Sequence, residues 1–181
     1  MKIFVINGHK YYPFAQGKLN QTLFEEIINT LTPDNEVKST IVEHGYNIQE
    51  EIEKFLWADT IIFQTPINWF AFPGILKKYI DEIYQYNIFY GSSEEYGQGG
   101  LLKGKKYMYS LTWSSPGEAF EKVSGFYEGH SVDEVILAMH KTQQFCGLEK
   151  LPTFSAHAVL RNPDVPLIKE QLREHLEKYM R

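Results

Sequence analysis

Thr60-Ile61-Ile62-Phe63 runs into Gln64-Thr65-Pro66-Ile67-Asn68-Trp69-Phe70-Ala71-Phe72-Pro73 and then into Gly74-Ile75-Leu76-Lys77-Lys78-Tyr79-Ile80. The first string is a short apolar run of strand length. The last places Ile75, Leu76, Tyr79, Ile80 and, beyond it, Ile83 at helical spacing, with Lys77, Lys78, Asp81 and Glu82 turned to water. The segment between them is a loop, and Pro73 suits the first turn of the helix that follows, where a missing N–H costs nothing. Strand, loop and helix in this order form half of a βαβ unit. Trp69, Phe70 and Phe72 are large aromatics in a position that exposure alone would make polar. Either a flat apolar ligand lies against them, or they serve internal packing or a patch for a second chain.

The same unit recurs on both sides. Ile3-Phe4-Val5-Ile6 is a continuous apolar run, the pattern of a central parallel strand covered on both faces. A loop from Gly8 to Lys18 follows, and Leu19, Leu23, Ile27 and Ile28 then predict a helix starting near Leu19 or Asn20. Val37 to Val42 predicts a second strand, at an edge. Ile48 to Trp57 predicts a short amphipathic helix with Ile48, Ile52, Phe55 and Leu56 as its apolar side. Lys106 to Thr112 is the fourth strand, ending in Trp113-Ser114-Ser115-Pro116-Gly117. Ser131 caps a helix running to Cys146, with Glu134 completing a capping box. Thr153 to Val159 is the fifth strand, and Asp164 to Tyr179 a last helix buried through Leu167, Ile168, Leu172 and Leu176. The expectation is one α/β domain over residues 1–181, a doubly wound five-stranded parallel sheet with helices on both faces. Ligands of such folds sit beyond the carboxyl ends of the strands. Three loops qualify: Gly8 to Lys18, Pro66 to Phe72 and Trp113 to Gly117. The Gly-rich stretch from Tyr86 to Gly104 is longer than an ordinary connection, which marks it as functional or mobile.

A net charge of −5 argues against nucleic acid as a partner, because that grip depends on clustered Lys and Arg. Cys146 is the only cysteine, so no intrachain disulfide and no CxxC site can form, and a cytoplasmic setting is expected. Ile3 to Ile6 is too short for a signal peptide and no later run reaches membrane-spanning length, so no membrane association is expected. The histidines form no HExxH and no metal is expected; no Ser lies in a GxSxG elbow.

Gly17 and the start of the first helix suit an anion, although the spacing is neither GxGxxG nor a P-loop and an ordinary βα loop is the competing reading. A flavin would satisfy all three loops at once, phosphate at the first and ring at the second and third. Tyr127 and His130 are candidates for contacting an acceptor or relaying a proton, against a plain role in loop packing.

Several strings spread along the chain carry a resemblance: Ile6-Asn7-Gly8, Gly17-Lys18-Leu19-Asn20-Gln21-Thr22, Phe55-Leu56-Trp57-Ala58-Asp59 and Lys77-Lys78-Tyr79-Ile80-Asp81. It continues in Tyr96-Gly97-Gln98-Gly99-Gly100-Leu101, Gly104-Lys105-Lys106-Tyr107-Met108, Ser110-Leu111-Thr112-Trp113 and Leu151-Pro152-Thr153-Phe154. In these the chain resembles the NAD(P)H:quinone oxidoreductases of the modulator-of-drug-activity-B type. The resemblance implies a flavodoxin-like sheet of order 2-1-3-4-5 and a homodimer with its site at the subunit interface. It also implies FAD in preference to FMN, NADPH or NADH as electron donor, and a quinone as acceptor. Carried over by position, Ala15, Gln16, Gly17, Lys18, Leu19, Asn20, Gln21 and Thr22 would hold the diphosphate and ribityl end. Pro66, Ile67, Asn68, Trp69 and Phe70, with Thr112, Trp113, Ser114 and Ser115, would hold the ring, and Tyr96 would reach the cofactor from the long loop of its own or a neighbouring subunit. Ile67-Asn68-Trp69 stands where the family has Gly-Trp-Trp, so acceptor preference is expected to differ there. A flavodoxin-like electron carrier and an ancillary subunit of a potassium-efflux system are the alternative functions.

Overall fold

The computed structural model describes residues 1–180. Its strands are β1 (Lys2–Asn7), β2 (Glu36–Ile41), β3 (Thr60–Pro66), β4 (Lys106–Thr112), β5 (Glu149–Lys150) and β6 (Phe154–Ala156). Its helices are α1 (Lys18–Leu31), α2 (Ile48–Trp57), α3 (Gly74–Ile83), α4 (Val132–Val135), α5 (Leu137–Phe145) and α6 (Val165–Tyr179). All strand pairings are parallel, in the order β2-β1-β3-β4-β5, with β6 also on β4. The expected order 2-1-3-4-5 is therefore present.

The unbroken apolar runs are explained by two cores. In β1, Phe4 and Ile6 join Ile61, Phe63, Tyr109 and Leu111 under α2, α3 and α5. Ile3 and Val5 face the other way, with Ile62 and Met108, under α1 and α6. Residues of alternate parity feed opposite cores, so every position of the strand is apolar. On the second face Glu26 of α1 accepts from Lys169 and Arg173 of α6, both at 2.7 Å, which joins the two helices across their seam.

Several elements differ from expectation, each for a physical reason. The fifth strand, expected from Thr153 to Val159, is shortened to β6, and a two-residue β5 that was not expected precedes it, the two parted by Leu151-Pro152-Thr153, where proline has no N–H for the ladder. The helix expected from Ser131 to Cys146 breaks at Ile136, whose backbone leaves the helical region at φ −102° and ψ 26°, although the Ser131–Glu134 capping box is formed. Pro73 caps α3 from one residue outside it. In α2, Ile52 and Phe55 are buried as expected, but Ile48 and Leu56 are exposed and Glu51 takes the inward place. Leu167 of α6 is likewise exposed, while Ile168, Leu172 and Leu176 are buried.

Candidate functional site

Registered pairs place Asn7 beside Gln64 and Gln64 beside Ser110, so β1, β3 and β4 end together and their three following loops share one edge of the sheet. Strand order reverses between β1 and β3, the position at which open α/β sheets leave a crevice.

The first loop builds a cradle. A short antiparallel bridge joins Tyr12 to Ala15, and the His9 ring meets the Ala15 carbonyl through Nε2 at 3.0 Å. Burial lowers the His9 pKa below its ordinary value, which favours the neutral ring. Gly17 adopts φ 72°, and a β-carbon on it would lie 2.2 Å from the His9 ring, so no side chain fits there. Helix α1 starts on Gly17 with no side-chain cap and no acid in its first turn. The N–H groups of Lys18, Leu19 and Asn20 have no acceptor among the described residues. An uncapped helix start behind a glycine without room for a β-carbon is chemically suited to an anion. Ala15, Gln16, Gly17 and Lys18 border this cradle. Asn20 is buried and donates to Asn7, Gln21 accepts from Asn7, and Thr22 donates its hydroxyl to the Lys18 carbonyl, so these three side chains are engaged within the protein. Leu19 packs against the core under α1.

After Pro66 and Ile67, whose N–H bonds Thr112, the second loop turns back in two residues: Asn68 and Ala71 exchange backbone hydrogen bonds at 3.0 and 3.2 Å. The residues at the turn are Trp69, φ 51°, and Phe70, φ 64°. Consecutive left-handed residues are what a type I′ turn demands, and Asn-Gly ordinarily supplies them. Two bulky aromatics there hold the backbone in a strained form. Their N–H groups have no acceptor among the described residues. The Trp69 side chain is 93% exposed, whereas the Phe70 ring stacks on Phe126 at 5.6 Å and meets the edge of Tyr127.

The third loop is built from beneath. Trp113 is buried against Phe120 and Tyr127, and its backbone N–H and carbonyl are bonded to Ala156 and Val159. Its indole therefore supports the loop from the core side, while the N–H groups of Ser114 and Ser115 have no acceptor among the described residues. Ser115 Oγ and the Tyr127 hydroxyl are 2.6 Å apart, and Tyr127 stacks on Phe120 at 4.2 Å. Phe70, Phe126, Tyr127, Glu128, His130 and Val135 line a groove of about 230 Å³. The candidates Tyr127 and His130 are thus gathered at the face of Phe70.

A family model described as flavodoxin-like fold matches residues 1–180. The chain belongs to the flavodoxin-like fold family. The NADPH:quinone oxidoreductase MdaB of Haemophilus influenzae is 41% identical over 98% of this chain and 98% of its own. That agrees with the family resemblance carried by the sequence strings. A Klebsiella pneumoniae protein described as a quinone reductase candidate superposes with a TM-score of 0.83 at 24% identity, covering 98% of this chain and 84% of that one. General stress protein 14 of Treponema denticola, solved in complex with FMN, does so at 0.76 and 21%, covering 98% and 97%. At those identities the two structures speak to fold alone.

In this flavodoxin-like chain Tyr96 does not join the three loops. It is 92% exposed and leans on Phe145 at the end of α5, close to where β5 pairs with the first residues of β4. That is the opposite edge of the sheet. A larger groove, about 450 Å³, runs along α4 and α5 past Asp133, Leu137, Lys141 and Lys150 and shares His130 with the groove at Phe70. Its floor is a saturated structural network: Asp133 accepts from Thr153, Lys150 and His140, and His140 Nδ1 lies 2.8 Å from the Tyr107 hydroxyl. Sequence reasoning left Phe126 out of the site; the aromatic density of Phe120 to Tyr127 was the signal that pointed to it. No three His, Cys, Asp or Glu side chains gather as a metal site among the described residues, and no described helix is long and apolar enough to cross a membrane.

Proposed function

We propose that the chain is an NAD(P)H:quinone oxidoreductase that binds FAD at the three loops and passes two electrons from NADPH or NADH to a quinone. The observation that carries this reading is the set of backbone N–H groups with no acceptor among the described residues at three adjacent loops: Lys18 to Asn20, Trp69 and Phe70, and Ser114 and Ser115. The first group suits a diphosphate, and the other two suit the heteroatom edge of a planar ring. FAD is favoured over FMN because the Tyr12–Phe14 stack, in the same loop as the cradle, offers a flat face that an adenosine half could meet. The name of the Haemophilus influenzae relative supports the donor and acceptor classes.

When bound, the flavin supplies the hydride chemistry. The protein contributes position and electrostatics. Uncommitted N–H groups at Ser114 and Ser115 would meet negative charge developing at the ring edge, and their place on a packed scaffold means little reorganisation is needed. Phe70, Phe126 and Tyr127 give the groove an apolar lining. Donor and acceptor would take turns at the groove beside Phe70, as a ping-pong exchange requires. Tyr127 holds Ser115 by its hydroxyl, and His130, 58% exposed beside Glu134, would be the residue that exchanges a proton with acceptor or solvent. Tyr96, remote from these loops in its own chain, would complete the site of a second copy in a homodimer. The one cysteine is buried and free, which suits a reducing cytoplasm.

The test is stopped-flow mixing of flavin-loaded protein with NADPH and then with a benzoquinone. Rapid bleaching followed by reoxidation is expected. Protein that takes up neither FAD nor FMN on reconstitution overturns the flavin reading, and flavin that NADPH and NADH both fail to reduce points instead to an electron carrier.

A further inference from the structure

Beneath the three loops lies a buried chain of side-chain hydrogen bonds that the flavin reading does not use. Ser110 donates its hydroxyl to Gln64 Oε1 at 2.6 Å, and Gln64 Nε2 donates to Asn20 Oδ1 at 3.0 Å. Asn20 Nδ2 donates to Asn7 Oδ1 at 2.8 Å, Asn7 Nδ2 to Gln21 Oε1 at 2.8 Å, and Gln21 Nε2 to Glu25 Oε1 at 2.8 Å. Ser110 and Gln64 are fully buried, and Asn20 and Asn7 are 3% exposed. Every amide accepts through oxygen and donates through nitrogen in the same sense, so the dipoles align and each bond polarises the next.

The members of the chain stand at particular places. Ser110 and Gln64 lie two residues before Thr112 and Pro66, where the ring loops begin. Asn7 immediately precedes the cradle loop and also accepts from the His9 N–H at 3.1 Å. Asn20 and Gln21 belong to the first turn of α1, whose N–H groups form the cradle. The chain therefore crosses from the ends of the ring strands to the start of the phosphate helix. Apolar side chains would fill this space without the desolvation that buried amides impose, but they would not fix direction or register.

We propose that Gln64 and Asn20 are positioning residues that set the distance and angle between the phosphate cradle and the two ring loops. The proposal rests on the flavin reading of the site and names what holds its two halves in register. A ligand that must engage both halves at once gains from that register, because its second contact is intramolecular. A ligand that touches only one half does not. The discriminating measurement is the affinity of three probes for wild-type and Gln64→Met protein: FAD, which spans both halves; riboflavin, which reaches only the ring loops; and ADP, which reaches only the cradle. Methionine keeps the length and the burial while removing both amide bonds.

The expected result is a loss of roughly 10- to 100-fold in FAD affinity, the scale of a small misplacement between linked contacts, with riboflavin and ADP changed by no more than about twofold. FAD affinity that stays at the wild-type value overturns the proposal. So does a proportional loss for all three probes, which is what a merely structural role predicts. If Gln64→Met does not fold, Ser110→Ala removes only the terminal bond and must show the same selectivity for FAD over the fragments, at several-fold; equal effects on the three probes refute it. Failure of the flavin reading is separate: wild-type protein would then bind neither FAD nor riboflavin.

Discussion

Trp69→Gly should stabilise the protein without flavin and weaken its hold on flavin. In the folded chain the Trp69 side chain is 93% exposed, so removing it forfeits almost no burial. Its backbone, at φ 51°, lies in the left-handed region. For a residue with a β-carbon that conformation costs roughly 1–2 kcal/mol. Glycine pays no such penalty but loses about 0.5–1 kcal/mol more conformational entropy on folding. The difference leaves a gain of about 0.5–1 kcal/mol, or some 1–4 °C in melting temperature for a chain of this size. The flavin-loaded protein should move the other way. Stacking of a planar heterocycle on an aromatic side chain is worth about 1–3 kcal/mol, by analogy with bases on aromatic platforms, so affinity should fall roughly 5- to 150-fold. Calorimetric melts of apoprotein and of protein with saturating FAD, together with a fluorescence titration, give both quantities from one pair of samples. An apoprotein that melts lower than wild type would refute the strain argument, and an unchanged FAD affinity would show that the indole takes no part in the ring site.

Two further substitutions test the supports around the site. Gly17→Ala places a β-carbon 2.2 Å from the His9 ring at φ 72°, so it should displace His9, cost at least about 1–2 kcal/mol in urea denaturation and loosen FAD; wild-type values for both would contradict the cradle geometry. Asp133, whose carboxyl is held below the usual carboxylate range by the His140 hydrogen bond and then by Lys150 and Thr153, gives a pH test. Because its folded pKa is lower than its unfolded one, its contribution is complete above the ordinary Asp value near 3.9 and fades as pH falls toward the folded value. Asp133→Asn should therefore cost about 1–2 kcal/mol at pH 7, the lower part of the range for charge-assisted bonds because the side chain is 35% exposed, and the gap from wild type should close below about pH 4. A gap that is constant with pH would mean that packing, not charge, is what the aspartate supplies.

How much was legible depended on whether a residue's direction follows from its own element. The sheet did, because Ile3 to Ile6 and Ile61 to Phe63 are apolar at every position and only burial on two faces explains that. Glu51 did not. It is 1% exposed and accepts from Tyr79 at 2.6 Å and Thr40 at 3.0 Å, partners from two other elements that no helical pattern announces, as well as from Lys54, one turn on in its own helix, at 2.5 Å. Counting it as a surface acid rotates α2 and buries Ile48 and Leu56 on paper. The site repeats the lesson. Loops at strand ends are legible as a shared edge, but residue type alone does not say whether polarity near that edge faces a ligand. Asn20 faces Asn7 and Gln64 instead, because a sheet that ends in polar side chains can satisfy them with one another. Trp113 is the case where a local signal did exist. Tyr107, Tyr109 and Leu111 alternate into the core under α5, and Trp113 is the next position of that parity. Extending the strand's period by one residue past Thr112 sends the indole inward and leaves Ser114, of the opposite parity, at the exposed rim with its N–H uncommitted. The ring contact proposed for this loop would thus be made by its backbone, and a substitution at Trp113 should act on the site only through the packing of Phe120 and Tyr127.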